Sequence, residues 1–148
     1  MSKSLPATSR SLPIALLRAR EEVMGPIRAM LADVGITEQQ WRVLRVLDEA
    51  GEMEPTRIAE EACLLLPSLT RILQKLEERG LILRRPDESD KRKQIIGISE
   101  DGSAVIAANL GTSMALNEEV RMRLGAARYE QLLDILNELS RSGAAMGD

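Results

Sequence analysis

Apolar positions recur at helical spacing along most of the chain and give way to strand-like runs only between residues 81 and 99. From Pro13 to about Asp33, Leu12, Leu16, Leu17, Val23, Met24, Ile27, Met30 and Leu31 share one broad helical face. Pro13 suits an early helical position, where a missing N–H does no harm. Pro26 predicts a kink or a break, because it cannot donate to the carbonyl of residue 22, and Gly35 predicts a left-handed cap. Ile36-Thr37-Glu38-Gln39-Gln40-Trp41 reads as a helix start, with Thr37 as N-cap, Gln40 closing a capping box, and Ile36 and Trp41 forming a hydrophobic staple. That second helix runs to about Ala50, and Trp41, Val43, Leu44, Val46 and Leu47 cover so much of it that burial is expected. Gly51 stops it. A short third helix, from Glu54-Pro55-Thr56 to about Cys63, turns Ile58, Ala59 and Ala62 inward.

The stretch from Pro67 to Ser99 has a different character. Its helix places Leu69, Ile72, Leu73 and Leu76 on one face and Ser68, Thr70, Arg71, Gln74 and Lys75 on the other, so the outer face is rich in donors and has no acid. Pro67 fits the first helical position, which puts Leu66 at the N-cap with no oxygen to offer; either Ser68 compensates, or the free N–H groups are kept for a phosphate. Gly80 caps the helix and Leu81 follows as its apolar contact. Strands Leu81–Arg85 and Gln94–Ser99 flank the charged loop 86–93, as in a hairpin, and Gly97 marks a bulge or a close approach. A donor-rich helix followed by a basic hairpin is what a winged helix-turn-helix uses to hold DNA.

Two more helices are expected. One is capped by Ser99 with Glu100 and Asp101 behind it, runs to about Leu124 and carries Val105, Ala108, Met114 and Val120. After Gly125 the other spans about Ala127–Arg141, with Tyr129, Leu132, Leu133, Leu136 and Leu139 in one stripe. Residues 1–12 read as a flexible arm and 143–148 as a frayed tail. The fold class is thus mainly α with a small β-hairpin wing, a single domain over 1–148. Its winged-helix core, about 36–102, is flanked by helices at about 12–35 and 103–142. Those flanking helices are apolar on one face with little of their own chain to pack on, so pairing with a second copy is expected to bury them.

Charge sharpens the picture. The 148-residue chain carries a net charge of −3, yet from Pro67 to Gln94 eight Lys or Arg face five Asp or Glu, a local excess of +3. Histidine is absent and Cys63 is the one cysteine, which removes His-based acid–base catalysis, Ser-His and Cys-His pairs, the usual zinc ligand sets and an intrachain disulfide. No enzyme activity, metal or cofactor is expected. The N-terminus lacks the apolar core of a signal peptide and no run approaches a membrane span, so a soluble, cytoplasmic protein with no membrane partner is expected.

Several segments together resemble the MarR family of winged-helix transcription factors over roughly residues 12–140. They are Leu69-Thr70-Arg71, Leu76-Glu77-Glu78-Arg79-Gly80-Leu81, Asp90-Lys91-Arg92 and Ile98-Ser99-Glu100-Asp101-Gly102. Within that family Leu12, residues 14–21, Thr37-Glu38-Gln39-Gln40-Trp41-Arg42 and residues 62–70 are similar to the regulators of homoprotocatechuate degradation. The resemblance implies a homodimeric repressor that leaves a pseudo-palindromic double-stranded operator when a small aromatic acid binds.

On that reading the helix opening at Pro67 lies in the major groove, with Ser68, Thr70 and Arg71 at base edges, and Gln74 and Lys75 a turn further on at a base edge and a phosphate. The family pattern puts Arg92 at the wing tip in the minor groove, Lys91 and Lys93 at phosphates, and Arg84 on the same DNA face. Asp90 is expected to hold Arg92 or Arg84 in a bidentate pair. The plainer alternatives are a solvated helix face and an ordinary charged turn. Arg20, within the first apolar face, is either a snorkelling or ion-paired arginine or the partner of an aromatic acid's carboxylate, with Met24, Trp41 and Arg42 lining the same pocket. Cys63 is expected to be a small buried side chain rather than a redox sensor. The other functional class left open is a winged-helix module that docks proteins on its basic face, and a MarR-type regulator answering to another ligand or to oxidation is a further alternative.

Overall fold

The computed structural model describes residues 4–146, with side chains for 4–141. The chain divides into two compact units, Met1–Gly111 and Thr112–Asp148. The first opens with a 3-10 turn, Thr8–Arg10, where a flexible arm was expected, followed by α1 (Leu12–Ala32), α2 (Glu38–Ala50), α3 (Pro55–Ala62) and α4 (Leu66–Glu78). A hairpin of β1 (Ile82–Pro86) and β2 (Gln94–Ile98) leads into α5 (Glu100–Leu124), which runs on into the second unit, and α6 (Ala126–Met146) ends the chain. The backbone of α6 remains helical past Gly143, where fraying was expected; residues 147 and 148 lie outside the described residues.

Helix starts and stops account for most of these boundaries. Thr37 accepts from the Gln40 N–H while the Gln40 side chain accepts from the Thr37 N–H, which is the expected capping box, and Ile36 and Trp41 are both buried. At the end of α4, Gly80 in the left-handed region (φ +71°) donates to Glu77 and Leu81 donates to Leu76, the paired bonds of a Schellman turn. The Leu81 N–H is used there, so β1 starts one residue later than expected. The end of α3 makes the same turn without a glycine. Cys63 adopts φ +55° and Leu64 donates to the Ala59 carbonyl. Cys63 is therefore an exposed C-terminal residue and not the buried one expected.

Of the kink or break expected at Pro26, the break does not occur. Helix α1 is continuous across it, and Pro26 is exposed, so water can take the place of the missing donor. At α4 the N-cap is Leu65 and not Leu66, which places Pro67 second in the helix; no side chain caps this end, Ser68 included.

The core of the first unit gathers Leu31, Val43, Leu44, Leu47, Ile58, Leu69, Leu73, Leu76, Ile82 and Ile96, all essentially inaccessible. All but Ile82 and Ile96 come from helix faces expected to turn inward. The hairpin is antiparallel with Ile82 opposite Ile98 and Leu83 opposite Gly97. Met53 forms an isolated bridge on the other side of β2, giving and accepting one backbone bond each with Ile96. Gly97 sits in regular register rather than in a bulge, and a Cβ there would come within 3.1 Å of the Glu52 side chain. Of the apolar face expected on α1, Met30 and Leu31 are buried, whereas Leu12, Leu16 and Leu17 are 58%, 41% and 63% exposed.

Candidate nucleic-acid interface and ligand cavity

Helix α4 presents its outer side to solvent because its inner side is fixed in the core by Leu69, Leu73 and Leu76. Pro67, Thr70, Arg71, Gln74 and Lys75 are all exposed and Ser68 is half-buried. Ser68, Arg71 and Lys75 border an open hollow of about 340 Å³ that extends to Thr37 and Gln39 at the start of α2. The Thr70 hydroxyl donates to the Leu66 carbonyl (3.1 Å). No carboxylate pairs with Arg71 or Lys75 among the described residues.

Most of the other cations of this region are held internally. Arg79 donates to the carbonyls of Gly35 (2.6 Å) and Val34 (3.3 Å), closing the end of α1. Arg84, expected on the DNA face, is instead held between Glu77 on α4 (3.2 Å) and Gln94 on β2 (3.0 Å), bracing the hairpin against the helix. Arg85 pairs with Glu52 at 2.6 Å and Lys93 with Glu54 at 3.7 Å. The Arg85 guanidinium holds the Glu52 carboxyl below its ordinary pKa. At the loop tip Arg92 meets both Asp90 oxygens (3.1 and 3.3 Å) and also donates its backbone N–H to Asp90. That contact keeps the Asp90 carboxyl ionised to lower pH than usual. Of the two arginines considered for Asp90, Arg92 is the partner, and its side chain remains 92% exposed. Lys91 is exposed and pairs with no carboxylate among the described residues. Among the described residues Arg71, Lys75 and Lys91 have no carboxylate partner, and Arg92, Arg85 and Lys93 remain exposed beside theirs.

A second feature lies between α1 and α2. A cavity of about 370 Å³ is lined by Met24 and Ile27 from α1 and by Glu38, Trp41, Arg42, Arg45, Val46 and Glu49 from α2. Three of the four residues expected around a ligand (Met24, Trp41 and Arg42) come together here. Arg20 does not line the cavity. Its guanidinium donates to Glu38 Oε1 at 2.9 Å, an ion pair within the chain where one alternative had been a carboxylate of a second copy across the dimer. That bond is the main reason the Glu38 carboxyl is more acidic than usual, against a smaller opposing effect of burial. Among the described residues Glu38 Oε2 is buried without a hydrogen bond, with Arg28 at 3.7 Å. Arg42 borders the cavity but donates to the carbonyls of Ala62 (2.7 Å) and Cys63 (3.4 Å), so it also closes the end of α3. Sequence reasoning missed Arg45. It follows Trp41 by four residues, one helical turn, and that spacing could have found it. It has no carboxylate partner among the described residues.

A helix-turn-helix of α3 and α4 joined to a charged hairpin defines the winged-helix class of DNA-binding protein. The MarR family model matches residues 36–93. The homoprotocatechuate degradative operon repressor of Escherichia coli is 36% identical over 133 residues, 90% of each chain. Among solved structures, NadR in complex with 4-hydroxyphenylacetate is 33% identical with a TM-score of 0.81, covering 94% of this chain and 96% of that one. The transcriptional repressor CouR bound to a 23-mer DNA duplex is 28% identical with a TM-score of 0.79, covering 95% and 99%. The chain belongs to the MarR family of transcriptional regulators; these relatives are DNA-binding regulators and not enzymes. Among the described residues no helix is long and apolar enough to cross a membrane.

Proposed function

We propose that this protein is a cytoplasmic homodimer that represses an aromatic-catabolism operon, that of homoprotocatechuate or 4-hydroxyphenylacetate degradation. A small aromatic acid releases it from its operator. The observation that carries this reading is the cavity beside Trp41, where an indole ring and apolar side chains meet the unpaired guanidinium of Arg45. An aromatic ring suits the Trp41 side, and a carboxylate suits a planar guanidinium fork. The relatives give support: one is a repressor of such an operon, and another holds 4-hydroxyphenylacetate.

DNA is held by Ser68, Thr70, Arg71, Gln74 and Lys75 of α4 in the major groove, with Lys91 and Arg92 at the wing. Pairing between copies is favoured by apolar side chains left exposed on α1 and, separately, on α6, where Leu132, Leu133, Ile135 and Leu139 are 38–54% exposed. Arg20 acts on the ligand through Glu38, which it orients at the cavity wall.

Calorimetric titration with 4-hydroxyphenylacetate tests the ligand site. The wild type is expected to bind, and Arg45→Ala to bind at least tenfold more weakly with an unchanged melting temperature, a loss of about 1.4 kcal/mol or more. Equal affinities would remove Arg45 from the site.

A further inference from the structure

The first turn of α4 has an outer surface that hydrogen bonding does not use. Leu65, the N-cap, is 78% exposed, Leu66 is 43% exposed, and Pro67 beside them is exposed as well. A single exposed leucine is commonplace. Three consecutive exposed apolar residues at the leading end of a helix are not, and α4 is anchored in the core through Leu69, Leu73 and Leu76. Polar groups at this end are few: the Ser68 hydroxyl and the N–H groups of Leu66 and Ser68 are open. No side chain caps the helix, Pro67 has no N–H, and the Thr70 hydroxyl is turned back onto the Leu66 carbonyl. Beside those groups the turn presents the side chains of Leu65, Leu66 and Pro67.

The apolar group that a base pair shows in the major groove is the C5-methyl of thymine. We infer that Leu65 and Leu66 read thymine C5-methyl groups in the operator, adding apolar selection to the hydrogen bonds within reach of Ser68 and Arg71. This rests on α4 being the major-groove helix, as proposed above. Proximity to that helix's cations selects DNA as the occupant: Arg71 and Lys75, without acid partners among the described residues, follow on the same helix and suit a polyanion.

The test uses a duplex enriched from a random library by the full-length protein. Each thymine of one half-site is replaced in turn by deoxyuridine, which removes the methyl group alone, and affinity is read by fluorescence anisotropy. At one or two thymines the wild type is expected to lose about fourfold, the equivalent of one buried methyl group. The double variant Leu65→Ala, Leu66→Ala is expected to show no loss at those positions. Because both side chains are exposed, its melting curve should match the wild type; the single variant Leu65→Ala gives the same readout if the double variant folds poorly. Deoxyuridine without effect at every thymine, or the same loss in wild type and variant, would overturn the inference. Enrichment of no sequence at all would instead overturn the assignment of α4 to the major groove, and this inference with it.

Discussion

Glu38 is subject to three influences at once: it starts a helix, pairs with a distant arginine and borders a cavity. As the first residue of α2 it lies at the positive end of the helix dipole, and Arg20 reaches it from α1. Its carboxyl is more acidic in the folded chain than its ordinary value of 4.5, first because of the Arg20 hydrogen bond. A group with a lowered folded pKa stabilises the protein fully above its unfolded value, and that contribution disappears as the pH falls through the folded value. Glu38→Gln should therefore lower stability at neutral pH by roughly 1 kcal/mol, a figure kept small by the solvent exposure of Arg20. It should leave stability at pH 3 closer to that of the wild type. Melting temperatures of both proteins from pH 3 to 8 provide the check, and a constant gap across that range would contradict the pairing.

At the scale of elements, the end of α4, the hairpin and the start of α5 meet at one joint. Ser99 donates its hydroxyl to the Gly80 carbonyl (2.6 Å), accepts from the Gly102 N–H (3.0 Å), and gives its own N–H to Leu81 (3.1 Å). A Cβ on Gly102 would fall 2.2 Å from the Leu81 carbonyl oxygen and 2.7 Å from Ile98. Gly102→Ala should cost about 2–3 kcal/mol in urea unfolding. Gly111→Ala, further along α5 with nothing within 4 Å of the new methyl group, should instead stabilise by about 0.5–1 kcal/mol. Equal effects would mean that the joint is not packed as described.

Much of this was legible in the sequence. The Thr37–Gln40 box and the Gly80 turn depend on local chemistry that one short segment contains in full. Other features were not legible, each for a physical reason. The first four N–H groups of any helix lack partners, so a proline fits its first or second position equally well, and the α4 boundary was misread by one residue. The Cys63 turn lacks the glycine that usually signals a left-handed residue; Arg42, twenty-one residues earlier, donates to its carbonyl. The role of Arg84 depends on Glu77 and Gln94, which only the folded hairpin brings to it. Among the cavity residues, Met24 and Trp41 could be read from their faces. That Arg20 would be taken up by Glu38 depends on how α1 crosses α2.

At the scale of the whole molecule, a monomer of this chain leaves large apolar side chains in water on α1 and on α6. Isolated exposed leucines need no explanation, but several along one helix mark an interaction surface. Sedimentation velocity should give twice the 16.3 kDa chain mass. The double variant Leu132→Glu, Leu139→Glu should shift the protein toward the monomer and weaken operator binding with it, because two half-sites a helical turn apart need two linked copies. A wild type that sediments as a monomer at micromolar concentration would remove the dimer from the account.

An aromatic acid and an operator compete for this protein through its conformation. Adding 4-hydroxyphenylacetate to the protein bound on its selected fluorescent duplex should lower the anisotropy to the value of the free duplex as the acid saturates. A duplex that stays fully bound at saturating acid would contradict it.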